Sequence, residues 1–144
     1  MSDQEREATR LGMHILDRAL IALGHKPALE NPDFRAAEPV VGDLPNIVLE
    51  KAGVAPLRFI FGPQLDVWVG PFSEVVTVDI SDATKDDAQW RIERLLRSSV
   101  TCRIRKRSIE IKLELPGDEP WLRLNVRATG LASTLERHYA AYVG

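Results

Sequence analysis

Apolar positions first recur at helical spacing. Ala8, Leu11, Ile15, Ala19 and Leu23 fall three or four residues apart, and Leu16 and Leu20 widen the stripe. The spacing predicts an amphipathic helix over residues 4–23. Arg10, His14, Asp17 and Arg18 lie on its polar side, and Gly24 and Pro27 follow where a helix would stop. Across residues 25–45 no period survives, because Pro27, Pro32, Pro39, Pro45 and Gly42 interrupt it. This stretch reads as a Pro-rich loop, or as an ordered strap anchored by Phe34, Val40 and Val41.

From Asn46 the period becomes two. Ile47 and Leu49, then Leu57, Phe59 and Phe61, then Leu65, Val67 and Val69, then Val76, Val78 and Ile80 alternate with polar residues. Gly or Pro bounds each run, which predicts a four-stranded antiparallel meander. Pairing Phe61 with Leu65 also sets Phe59 against Val67 and Leu57 against Val69. Pairing Val69 with Val76 carries one apolar face across to Val78 and Ile80. Ser81 or Asp82 is placed to cap a second helix over 83–98, with Ala88, Ile92, Leu95 and Leu96 inward. Its acidic start at Asp86 and Asp87 and basic end at Arg94 and Arg97 suit the helix dipole.

A second, three-stranded meander follows. Val100, Cys102 and Ile104 pair with Leu113, Ile111 and Ile109 across a turn at Lys106-Arg107. Leu122, Leu124 and Val126 return against Leu115, Leu113 and Ile111. That register sets Arg103 against Glu110, Glu110 against Arg127 and Glu114 against Arg123. Leu131, Leu135, Tyr139 and Tyr142 then predict a last helix over 131–143. The expected fold is α+β: an N-terminal helix, a four-stranded antiparallel meander, a helix, a three-stranded antiparallel meander and a C-terminal helix, forming one domain over 1–144.

Composition narrows the function classes. At 144 residues with 44% hydrophobic and 28% charged side chains, the chain is an ordinary globular domain in size and make-up. Its single cysteine, Cys102, excludes an intramolecular disulfide framework. No apolar run is long enough to cross a bilayer and the N-terminus lacks a signal-peptide pattern, so the expectation is a cytoplasmic protein without membrane contact. Charge is uneven. Residues 1–83 hold 7 basic and 13 acidic side chains, whereas 84–127 hold 11 and 7. The basic stripe of Arg91, Arg94, Arg97, Arg105, Lys106 and Arg107 is a candidate phosphate-binding surface.

Catalytic signatures are weak. His14 and Asp17 share a helix face, yet the flanking Arg10 and Arg18 mark it as solvated surface. His138 is expected to be partly buried beside the last helix's apolar face. Cys102 points inward, so it reads as a small buried hydrophobe. Asp66 and Asp79 would face each other, but no calcium-loop pattern accompanies them. Neither zinc spacing, nor a Gly-rich phosphate loop, nor a nucleophile elbow occurs, and no cofactor or metal is expected.

The informative residues are apolar ones away from the expected core. Val48, Arg58, Ile60, Trp68 and Thr77 share the far face of the first meander, with Arg58 directly across from Trp68. Trp90 lies off the core face of the second helix, among arginines. Aromatic and arginine side chains anchor protein interfaces, which makes Trp68, Trp90, Arg58 and Ile60 candidate partner-binding residues. The order of elements resembles that of small secretion-chaperone-like domains, acidic α+β proteins that dimerise and hold a partner polypeptide. The resemblance is one of topology over most of the chain, with four strands rather than three in the first meander, and no residue role is carried across. The leading expectation is a non-catalytic protein-binding module, a chaperone-like adaptor or immunity-type inhibitor, that binds a protein partner or itself. Alternatives are a nucleic-acid-associated regulator using the 91–107 stripe, and a small-molecule binder.

Overall fold

The computed structural model describes residues 3–70, 74–105, 108–114, 120–127 and 135–143. Helix α1 spans Asp3–Ala22 and buries Ile15, Leu16, Ala19 and Leu20. It stops as the glycine predicts. Gly24 adopts φ +84°, its N–H donates to the Ile21 carbonyl, and the His25 N–H donates to the Leu20 carbonyl. Those two bonds make a Schellman cap. Gly12 has a packing reason that periodicity does not reveal: a Cβ there would stand 2.8 Å from Cδ1 of buried Phe61, so glycine lets α1 lie close against the sheet.

The first sheet has five strands, β1 Phe34–Ala37, β2 Asn46–Leu49, β3 Leu57–Phe61, β4 Leu65–Val69 and β5 Glu74–Val78, in chain order and all antiparallel. The extra strand is β1, inside the stretch read as a loop or strap. After a 3-10 turn at Ala28–Glu30, the chain pairs Phe34 with Leu49 and Ala37 with Asn46. Prolines on either side hid so short a strand from any period. Of the three expected anchors only Phe34 is buried, while Val40 and Val41 are exposed. The β3–β4 register is as predicted from alternation. The β4–β5 register is offset by two residues, setting Leu65 against Val78 and Val67 against Val76. An even offset keeps the same face inward, so alternation cannot tell the two apart.

Helix α2, Lys85–Arg97, buries Ala88, Ile92, Leu95 and Leu96. Its N-cap is Thr84, with no side-chain cap, rather than Ser81 or Asp82; Ser81 Oγ instead accepts the Thr84 N–H at 3.1 Å just before the helix. The second sheet contains β6 Ser99–Arg105, β7 Ser108–Glu114, β8 Pro120–Arg127 and β9 Leu135–Tyr139, ordered β8-β7-β6-β9. Among the described residues it therefore has four strands rather than three. The C-terminal helix expected over 131–143 is corrected: 135–139 form β9, and 131–134 lie outside the described residues. Over five residues helical and extended periods are hard to distinguish, and the edge of β6 left open by β7 decides the outcome. The β6–β7 register matches expectation, whereas β8 is offset by two, with Leu122 against Leu113, Leu124 against Ile111 and an irregularity at Leu113/Glu114. Glu110 therefore faces Asn125, and Arg123 faces Lys112.

Buried side chains from α1, α2 and both sheets form one apolar cluster. The end of the chain ties these parts together. Ala140 donates to the Gly53 carbonyl and Val143 to the Leu96 carbonyl, each at 2.9 Å. Tyr142 turns inward between them, 5.5 Å from the Phe34 ring and 4.8 Å from the His25 ring. Its hydroxyl accepts from Nδ2 of buried Asn31 at 3.1 Å and donates to Oδ2 of Asp33 at 3.0 Å.

Candidate functional site

On the five-stranded sheet, odd-numbered side chains of β2 to β4 face the core, so even-numbered ones form the opposite face. Register lines up one row across that face: Arg35, Val48, Arg58, Trp68 and Val75, from β1 to β5. The row begins exposed at Arg35, is buried at Val48 and half-buried at Arg58 and Trp68, and ends on exposed Val75 at the sheet edge. Beside it a concavity of about 190 Å³ opens between Val48, Glu50, Pro56, Arg58, Trp68 and Gly70. Gly70 holds φ +74° at the end of β4, a backbone turn suited to glycine.

Polar contacts fix the cationic side of this hollow. Arg58 Nη1 donates to Asn46 Oδ1 at 2.7 Å, while Asn46 Nδ2 donates to the Ala37 and Glu38 carbonyls. Arg58 retains further donors. Arg35 Nη2 lies 2.6 Å from Glu50 Oε1, and that hydrogen bond holds the Glu50 carboxyl below the usual carboxylate range. Ile60, expected on the partner surface, is only 1% exposed. It is therefore buried rather than presented on a surface, although it lies outside the main apolar cluster. Val48 is buried there too, a distinction that alternation alone cannot make.

The other candidates separate. Trp90 is exposed on α2 with the Arg94 guanidinium 4.5 Å from its ring centroid. Arg91 Nε donates to Asp87 at 3.0 Å, and Arg97 is exposed. Arg105 ends β6, while Lys106 and Arg107 lie outside the described residues. Arg103 binds Glu136 at 2.7 Å and approaches Glu110 at 3.8 Å, so the predicted Arg103–Glu110 pair is shared with β9. His138 is exposed on β9, with Nδ1 3.1 Å from Thr101 Oγ1, rather than partly buried on a helix. Asp17 does not orient His14. Its Oδ1 accepts the Ala28 N–H at 2.9 Å and so anchors the 3-10 turn. Asp66 accepts from Thr77, and Asp79 accepts from Gln64, so these carboxylates do not form the expected pair. Among the described residues no group of three His, Cys, Asp or Glu side chains is placed to hold a metal ion, and no helix is long and apolar enough to cross a membrane.

Cys102 is buried opposite Ile111, as alternation predicts. Burial pushes its thiol up to about 11. An unfolded thiol ionises near about 8.5. The native chain therefore keeps the proton to higher pH, and this contribution to stability is complete below about 8.5 and lost as pH rises toward about 11. At about pH 8, iodoacetamide labelling should follow unfolding by urea, since the thiolate is the nucleophile. Rapid labelling of the native chain would contradict the inward placement.

Compared with protein-family models, curated proteins and solved structures, the chain matches none.

Proposed function

We propose that this protein is a non-catalytic protein-binding module that takes an extended segment of a protein partner beside β5, where the Arg58–Trp68–Val75 row meets the sheet edge. The observation that carries the reading is that row, which runs beside the concavity to the edge of the sheet. Size favours a side chain over a cofactor: about 190 Å³ falls below the roughly 300–1,000 Å³ of small-molecule sites. A larger hollow of about 400 Å³ borders Gln4, Glu5, Ala8 and Pro63, away from the row. The edge itself is receptive. Strand β5 reads Glu-Val-Val-Thr-Val, without the lysine or proline that commonly blunts an edge. Strand addition at such an edge supplies backbone hydrogen bonds, and the neighbouring pocket supplies selectivity.

The nucleic-acid reading has less support, because Arg91 and Arg103 already hold carboxylates. The two readings separate in one experiment, capture from a native lysate with and without nuclease, using the wild type and Trp68→Ala. A nuclease-insensitive protein partner whose capture weakens at least roughly thirtyfold in Trp68→Ala is expected, the loss typical of an anchoring aromatic. A partner retained by Trp68→Ala would remove this site. Recovery of nucleic acid whose binding falls steeply with salt would move the function to the basic stripe.

A further inference from the structure

The exposed face of α2 is a separate surface. Asp87, Trp90, Arg94 and Arg97 follow one another at spacings of three, four and three residues, so they form one stripe along the helix. Trp90, 52% exposed, stands mid-stripe. Acidic residues Asp86 and Asp87 occupy the first turn and basic residues Arg94 and Arg97 the last. Helix α1 packs beside α2. Gly12 lies against Ile80 just before α2, Arg18 lies 3.9 Å from Asp86, and His25 stacks on Tyr142, whose neighbour Val143 bonds to Leu96.

We propose that this face joins two copies of the chain around a two-fold axis passing beside Trp90. The charge pattern selects a second copy over any other occupant. With α2 helices antiparallel, the two Trp90 rings meet near the axis, and Asp86 and Asp87 of each copy lie along Arg94 and Arg97 of the other. A patch that is its own complement is what a two-fold interface requires. A polyanion would meet repulsion from Asp86 and Asp87, and a partner of either single sign would match one half of the stripe and oppose the other. Asp87 with Arg91 and Asp86 with Arg18 are exposed ion pairs within the same chain, and half-buried Arg94 is also engaged within it. Exposed pairs of this kind are weak enough to exchange partners. Arg94, held over the indole, adds cation–π character at the centre.

Sedimentation equilibrium of the full chain tests this. The wild type is expected to approach twice its 16.1 kDa mass as concentration rises. Trp90→Glu is expected to remain monomeric with an unchanged circular-dichroism spectrum, since its side chain lies at the surface. Charge swaps guard against a folding artefact. A chain carrying Asp86→Arg with Asp87→Arg, and a chain carrying Arg94→Asp with Arg97→Asp, should each be monomeric alone and should form a heterodimer when mixed. A wild type that stays monomeric at every soluble concentration, a dimer that survives Trp90→Glu, or charge-swapped chains that fail to pair would each overturn the proposal.

Discussion

Phe59→Ala is expected to lower stability by about 3–5 kcal/mol, the usual cost of emptying a buried phenylalanine site. Phe59 is fully buried on the central strand β3, between Ile47 and Val67, with the Phe34 ring 6.4 Å away. Its neighbours belong to paired strands, so they cannot collapse freely into the space. A domain of this size holds roughly 5–15 kcal/mol in total, so the loss is a large fraction. The midpoint of thermal unfolding should fall by roughly 10–20 °C. Val75→Ala, on the exposed side of the same sheet, should stay within about 0.5 kcal/mol. Equal losses at the two positions would mean that the inner and outer faces are misassigned.

Tyr142→Ala is expected to cost a similar amount, about 3–5 kcal/mol, by removing ring packing and leaving polar groups unsatisfied. Nδ2 of Asn31, a residue only 6% exposed, loses its bond to the hydroxyl. Tyr142→Phe keeps the ring and isolates that second effect at about 1–3 kcal/mol. Hydrogen exchange locates the damage. The Ala140 and Val143 amides, bonded to Gly53 and Leu96, should lose protection before the β3 amides do. Protection that falls uniformly would show that Tyr142 does not secure the chain end. Burial, opposed by the Asn31 hydrogen bond, raises the Tyr142 hydroxyl above its ordinary value. Its contribution is thus complete below the unfolded value near about 10 and is lost as pH rises past it.

Much of the fold was legible because local and global signals agreed. The α1 stripe, its Gly24 stop, the inward face of α2 and the β3–β4 and β6–β7 registers follow from spacing and turn residues alone. The misses share a cause. Strand β1 is four residues between prolines, and β9 carries apolar residues at positions that also suit a helix; both exist because a neighbouring strand offers an open edge. The offsets in β5 and β8 are both even, and even offsets leave every side chain on its predicted face. At the candidate sites, alternation placed Arg58 across from Trp68, and helical spacing placed Trp90 outside the core. Neither could show that Ile60 is enclosed.

What the sequence determined by itself is therefore which residues are apolar together and where each run must end: hydrophobic period and glycine or proline punctuation are local properties of a chain. What only the tertiary structure decided is which edge each short segment joins, which even register is used, and which second-face residues stay open. Those depend on partners distant in the chain, such as Tyr142 with Asn31 and Asp33, and no local period records a contact across more than a hundred residues.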